Sequence, residues 1–230
     1  NHSWKTWRHH LIWDQLIEFQ TEIVKHFDSK FERYSEDGLE KFNYAGWANM
    51  TWRSDKFRRI HLDVVDAREE KKLWMMHICA FPTLDSGAPI YGFDVISGKN
   101  KVTGAFHDFS IVDKMHPAVK HFEDVVSDLE WSKERELPGW AKAIFSKNMI
   151  AAGNIQTTDE LSKLLKVVEE TTRWYFDDMV TDFSYPAREA QNRYAFHQKQ
   201  NPHTPRTMKS LGLNEEDVDQ FVNNCLFPEV

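Results

Sequence analysis

The sequence predicts an α+β chain, a three-layer α/β/α sandwich with a central, mostly antiparallel sheet. Three observations carry that expectation. Between Lys56 and Phe109, apolar and polar residues alternate in four short runs, joined by turns too short to hold a crossover helix. Before this region apolar residues recur at helical spacing, and after Thr157 they do so again. Helix, strands and then helices place a sheet between helical layers. With 230 residues, 41% of them hydrophobic, residues 1–230 read as a single domain around one core.

The elements follow in order. From Trp4 to about Phe27, the residues Leu11, Ile12, Leu16, Phe19, Ile23 and Phe27 lie three and four apart, the period of an amphipathic helix. Lys41 to Trp52 is aromatic and irregular and supplies a first strand or two. Ile60, Leu62 and Val64 then alternate with Arg59, His61 and Asp63. Trp74 to Phe81 makes the second run, closed by Pro82; Ile90 to Ile96 makes the third and Val102 to Phe109 the fourth. Ile144-Phe145 and Met149-Ile150 suggest one further strand. Thr157 with Glu160 forms a capping box that opens a helix reaching Phe183, striped by Leu161, Leu164, Leu165, Val168 and Tyr175. A second helix runs from Pro186 to about Gln200, where Asn201-Pro202-His203-Thr204-Pro205 breaks it. Asn214 with Asp217 begins the terminal helix.

Composition excludes several function classes. A net charge of −7 disfavours a general nucleic-acid binder, because phosphate contacts need a basic surface. Cys79 and Cys225 sit in apolar settings without a CxxC spacing, which predicts reduced, buried thiols and a cytoplasmic address. No stretch of about 18 apolar residues marks a membrane span. Asn1-His2-Ser3-Trp4 lacks the apolar run of a signal peptide, and the missing initial Met leaves room for preceding residues. No G-x-G-x-x-G follows a strand, the phosphate-loop pattern is absent around Gly92 to Asn100, and no G-x-S-x-G occurs. The 9 Trp and 16 Phe suit a thick core and also walls for a large planar ligand.

Ionisable residues inside the strands remain: His61, Asp63, His77 and Asp108. A polar group inside a sheet is costly unless it is hydrogen-bonded or used. Alternation lets these residues share the face opposite the aliphatic one, where they would line a ligand cavity. A carboxyl and an imidazole in one dry pocket shift each other's pKa values, as proton donors near neutrality require. His61, His77 and Asp108 are equally a two-histidine, one-carboxylate set for a non-haem iron enzyme. A ligand-binding protein without redox activity is a third reading.

Ordered blocks over most of the chain resemble the ferredoxin-dependent bilin reductases, and among them the phycocyanobilin-forming branch. These are Lys56-Phe57-Arg58-Arg59-Ile60-His61-Leu62-Asp63-Val64, Met76-His77-Ile78-Cys79-Ala80-Phe81-Pro82, Ala88-Pro89-Ile90-Tyr91-Gly92-Phe93-Asp94, His107-Asp108-Phe109-Ser110, Arg135-Glu136-Leu137-Pro138-Gly139-Trp140, and Gln198-Lys199-Gln200-Asn201 with Thr204 and Arg206. The resemblance implies that biliverdin IXα lies between the sheet and the C-terminal helices. It is then reduced by single electrons from reduced ferredoxin, with protons from the protein and neither bound metal nor other bound cofactor. A transient ferredoxin contact through a local basic patch and a monomeric chain go with it.

By position, the resemblance makes Asp108 the central catalytic aspartate and His77 the histidine paired with it across the substrate. His61 becomes a second histidine in a relay, and Asp63 stands where the branch has a glutamate. Two departures bear on the product. Asp63 is one methylene shorter than glutamate, and Asn201-Pro202 lacks the carboxylates that relatives carry there. The combination resembles the phage-associated, phycoerythrobilin-forming members, implying phycoerythrobilin via 15,16-dihydrobiliverdin, with phycocyanobilin as the alternative, in a bacterial or phage-infected cell. Gly153 stands near where the branch has a propionate-binding arginine, so Lys199, His203 or Arg206, beside Asn201, would take the propionates.

Overall fold

The computed structural model describes residues 11–180 and 184–230. The first helix, α1 (Leu11–Lys30), buries Ile12, Leu16, Phe19, Ile23 and Phe27, the stripe its spacing predicts. Seven strands follow among the described residues: β1 (Glu32–Tyr34), β2 (Trp47–Arg53), β3 (Phe57–Ala67), β4 (Leu73–Pro82), β5 (Ile90–Ser97), β6 (Val102–Ser110) and β7 (Ile150–Ile155). They form one sheet in sequence order, every neighbour antiparallel. A single helical turn, α2 (Arg68–Lys71), joins β3 to β4, and Lys72 after it takes a left-handed φ of 53°. Between β6 and β7 lie α3 (Pro117–Val126) and the turn α4 (Gly139–Lys142); after β7 come α5 (Thr158–Trp174), α6 (Arg188–Gln198), α7 (His203–Ser210) and α8 (Glu215–Gln220).

The sheet separates two cores, as a sandwich requires. Ile60, Leu62, Val64, Met76, Ile78, Phe93, Val95 and Phe109 pack on one side with α1, α3 and α5. On the other side Val65, Cys79, Phe81 and Ile90 meet Tyr194 of α6, Met208 of α7, Val218 of α8 and the Phe221–Leu226 turn. The second face carries His61, Asp63, His77 and Asp108. Its packing is incomplete over the middle of the sheet, and there the cavity forms.

Several elements differ from the sequence reading for local reasons. α5 starts as expected, with the Thr157 hydroxyl accepting from Glu160 N, but the Glu160 carboxylate turns away to accept from Ser132 N and Oγ. The helix leaves α geometry at Tyr175 for a π turn, Tyr175–Met179, which buries Tyr175 and Phe176 together and lets Tyr175 Oη donate to Pro89 O at 2.6 Å. The predicted end at Phe183 lies outside the described residues. The predicted strand around Ile144 is instead chain following α4, and β7 begins at Ile150 with the weak strand formers Ala151, Ala152, Gly153 and Asn154. Pro202 and Pro205 stop α6 as expected and also start α7, because both occupy positions in or before its first turn where no amide donor is needed. The edge strand β1 and helix α3 were not anticipated; α3 is capped by His116 Nδ1, which accepts from Ala118 N.

Candidate functional site

Register sets which side chains stand side by side. Asp63 pairs with His77, His77 with Asp94 and Asp94 with Phe106, so three ionisable residues form one transverse row across β3, β4 and β5. His77 Nδ1 lies 3.3 Å from Asp63 Oδ1, and its Nε2 lies 3.9 Å from Asp94 Oδ1. The row forms part of the floor of a cavity of about 360 Å³, within the usual range for a small-molecule site. Met75 and Ile96 flank it on the sheet. Trp140, Phe145 and Met149 wall one side, and Asn201, His203, Thr204, Met208 and Phe227 the other. A larger but shallow depression beside α6, lined by Pro186, Arg188, Asn192, Phe196 and Glu229, contains no buried ionisable group and is not the site of chemistry.

Asp63 of the row and His61, two residues before it on β3, are held by hydrogen bonds from β2. Trp47 Nε1 donates to Asp63 Oδ2 at 3.3 Å. Asn49 Nδ2 donates to Phe42 O, which turns its Oδ1 toward His61 Nε2 at 3.0 Å. That orientation makes Nε2 the protonated nitrogen of a neutral His61, leaving Nδ1 as an acceptor without a hydrogen-bond partner among the described residues. Burial, with Arg59 and His77 nearby, holds the His61 pKa well below its ordinary value. His77 goes the other way: burial pulls its pKa down, but the Asp94 charge and the Asp63 carboxylate 3.3 Å from Nδ1 outweigh it, and the net direction is up. Asp94 is also raised, by its low-dielectric surroundings first, with His77 lowering it and Asp63 raising it. Its side chain still exposes 45% of its surface, so solvent in the cavity tempers that rise. An imidazole and a carboxyl, both with pKa values above their ordinary ones, stand side by side.

The structure corrects the position of Asp108. It shares the cavity-side face, paired with Gly92, but sits two strands from His77 and one row along. It does not line the cavity. Its carboxylate accepts from Ser146 N at 2.8 Å, from Ser146 Oγ and from Ser110 Oγ at 3.2 Å, tying the cavity wall that carries Phe145 and Met149 to the sheet. Burial outweighs these bonds and pushes its pKa up to about 6. Asp94, which the sequence reading passed over, occupies the place beside His77 instead. Alternation pointed to it, since Asp94 shares a face with Gly92 and Ile96, but choosing between two carboxylates needs the register. Among the described residues one group has ligand atoms close enough to share an ion, and it is His61, Asp63 and His77, all within 4.8 Å. Asp108 is not part of it, so the three-residue iron set changes its carboxylate.

Of the expected substrate contacts, Asn201 and His203 line the cavity, while Lys199 and Arg206 do not. Lys199 Nζ is held by Glu229 at 3.0 Å. Cys79 and Cys225 are free and buried, and burial pushes their thiols to about 12 and about 11, so both are inert hydrophobes rather than nucleophiles. No described helix is long and apolar enough to cross a membrane.

A cavity floored by ionisable residues and walled by aromatic ones fits the family that the sequence blocks resemble, and comparison decides it: the family model for ferredoxin-dependent bilin reductase matches residues 13–228. The chain belongs to the ferredoxin-dependent bilin reductases. Phycocyanobilin:ferredoxin oxidoreductase of Trichodesmium erythraeum is 25% identical over 190 residues, covering 78% of this chain and 75% of its own. The enzyme of the same name from Synechococcus is 27% identical over 193 residues, covering 78% and 74%. Among solved structures, PcyX is 38% identical with a TM-score of 0.71, covering 94% of this chain and 99% of its own. Tomato phytochromobilin synthase in complex with biliverdin shares the fold at 15% identity, with a TM-score of 0.69 over 94% of this chain and 82% of its own. As a bilin reductase the chain is an oxidoreductase that takes electrons from ferredoxin, and the seven-stranded antiparallel sheet between helices is the fold of its relatives.

Proposed function

We propose that the chain reduces biliverdin IXα to phycoerythrobilin through 15,16-dihydrobiliverdin, by one-electron transfers from reduced ferredoxin, each radical taking its proton from the Asp63–His77–Asp94 row. The observation that carries this reading is the row itself, two carboxylates flanking a histidine on the cavity floor. The overall change adds four electrons and four protons; ferredoxin supplies the electrons singly, and the donors must be reprotonated between steps. Asp94 and His77, both with raised pKa values, are the groups of the row suited to deliver protons. His61, with a free Nδ1 lone pair, is placed to relay a proton to the pair, and Asp63 helps to hold the His77 pKa up. Asn201 and His203 contact the bilin from α7 and the turn before it.

The phycoerythrobilin assignment is supported by what is missing. Asn201-Pro202 supplies no carboxylate to the cavity rim, and Asp63 is committed to Trp47 and His77, so the floor pair carries the proton supply. We place the enzyme in the cytoplasm of a bacterial or phage-infected cell, acting as a monomer. The test is an anaerobic assay with biliverdin and reduced ferredoxin, followed by chromatography against phycoerythrobilin and phycocyanobilin standards. A phycoerythrobilin peak preceded by dihydrobiliverdin supports the assignment; phycocyanobilin overturns the product, and a bound but unreduced bilin overturns the reaction. A second reading has one specific observation in its favour, the closeness of His61, Asp63 and His77 ligand atoms. Stoichiometric iron in the purified protein would favour it.

A further inference from the structure

His61 is fully buried and is not among the residues lining the cavity, so it meets the Asp63–His77–Asp94 row through its ring alone. That ring stands edge-on to the His77 ring, with centroids 6.2 Å apart. One ring nitrogen of each histidine and one oxygen of Asp63 lie within 4.8 Å of one another. Which His61 nitrogen can exchange a proton there is decided by what the other nitrogen holds.

Asn49 of β2 makes that decision. It is buried and pairs with Asp63 across β2 and β3. Its Nδ2 donates to Phe42 O at 3.2 Å, and its backbone N donates to Asn43 Oδ1 at 2.6 Å. These acceptors belong to the turn Glu40–Phe42 and the residue after it. The turn is anchored in its own right: the Phe42 ring packs against Trp47 and Phe221, with centroids 5.5 and 4.8 Å away, and Asn43 N donates to Glu40 O. A flipped amide would set its carbonyl against Phe42 O, acceptor against acceptor, in a buried place. Oδ1 is therefore the atom presented to His61 Nε2, at 3.0 Å. An oxygen there bonds to the ring only when Nε2 carries the hydrogen. Being uncharged, it orients the imidazole without drawing a second proton onto it, as a carboxylate would. Nδ1 is left without a hydrogen-bond partner among the described residues, the state an exchanging atom requires.

We propose that Asn49 is a positioning residue for the reaction read above, on which this inference rests: it fixes His61 in the Nε2–H tautomer and so keeps Nδ1 as the nitrogen that accepts and returns a proton beside Asp63 and His77. Asn49 does not line the cavity and acts only through His61. It also lines a surface depression of about 310 Å³ with Tyr34, Glu36 and Thr51, so a substitution that tests the hydrogen bond must also fill the side chain's volume and keep water from the ring.

The test reads the ring nitrogens directly, by nitrogen-15 magnetic resonance of the full chain labelled in its histidines, with His61→Phe identifying the His61 signals. The unaltered chain without ligand should show Nε2 protonated and Nδ1 bare. Asn49→Leu, which keeps the volume and loses the acceptor, should mix the two tautomers. Asn49→Asp, which keeps an oxygen toward the ring, should keep Nε2 protonated. With biliverdin and reduced ferredoxin, Asn49→Leu should lower kcat about tenfold, the effect of one hydrogen bond, and leave biliverdin affinity unchanged. A His61 protonated at Nδ1 alone in the unaltered chain, an undiminished Nε2–H tautomer in Asn49→Leu, or a loss confined to biliverdin affinity would overturn the proposal. Failure of the reductase reading looks different: the tautomer and its dependence on Asn49 would be seen without substrate, yet reduced ferredoxin would leave the spectrum of biliverdin on the unaltered chain unchanged.

Discussion

Asp108→Asn separates an anchoring carboxyl from a proton donor, and its effect on stability follows from the structure. Asp108 is 1% exposed, and burial raises its pKa to about 6 from an ordinary value of 3.8. The folded chain therefore holds a proton that the unfolded chain has released between those values. The stability Asp108 contributes is present at low pH and lost as pH rises through about 6. Between pH 5 and pH 8 the loss amounts to about 1.4 kcal/mol, one pKa unit of linkage. Asn cannot titrate, so the stability of the variant relative to the unaltered chain should rise by that amount over the same range, about 3–5 °C in Tm for a chain of this size. Thermal or urea unfolding at pH 5, 6, 7 and 8 measures it. The Asn amide can replace only part of the three-bond acceptor set offered to Ser146 and Ser110, so an offset independent of pH is expected as well. A difference that stays flat with pH, or changes in the opposite sense, would refute the assignment of Asp108 as a buried anchor with a raised pKa.

Other outcomes follow from the same geometry. Glu36→Gln strips the charge partner from Arg59, which is 4% exposed and donates to both Glu36 oxygens at 2.8 and 2.7 Å; breaking this buried pair should cost about 3 kcal/mol, read as a lower urea midpoint. Asp63→Asn removes the carboxylate charge 3.3 Å from His77 Nδ1, which with Asp94 holds the His77 pKa up against burial. The stability His77 contributes is present below its ordinary value near 6.5 and lost as pH rises through its folded pKa, so the variant should lose stability at pH 6 more than at pH 8. The alkaline limb of its pH–rate profile should also move to lower pH. Ser146→Ala removes one donor to Asp108 and loosens the wall bearing Phe145 and Met149; weaker bilin binding with an unchanged pH profile is the expected pattern.

The four central strands and their faces were legible because alternation is a local property. Ile60, Leu62 and Val64 face one core while His61 and Asp63 face the other, as the spacing predicts. Lateral position was not legible, because it depends on register between strands. Asp108 and Asp94 lie on the same face, and only the pairing of His77 with Asp94 and of Gly92 with Asp108 decides which carboxyl meets the histidine. Ser146, which claims Asp108, lies in a segment with no periodic signal, and Arg135 reaches the cavity only because Gly153 on another strand lets it pass. The break at Pro202 was visible, whereas the helix it starts was masked by the same two prolines.

In the proposed reaction protons leave from Asp94 and His77 rather than from Asp108. Its most direct test is the anaerobic assay with reduced ferredoxin and biliverdin run on Asp94→Asn beside Asp108→Asn, with absorbance and electron spin resonance followed together. The account predicts that Asp94→Asn binds biliverdin and accumulates an unprotonated radical or an early intermediate, while Asp108→Asn still proceeds to product. Normal turnover by Asp94→Asn with a stall in Asp108→Asn would contradict it.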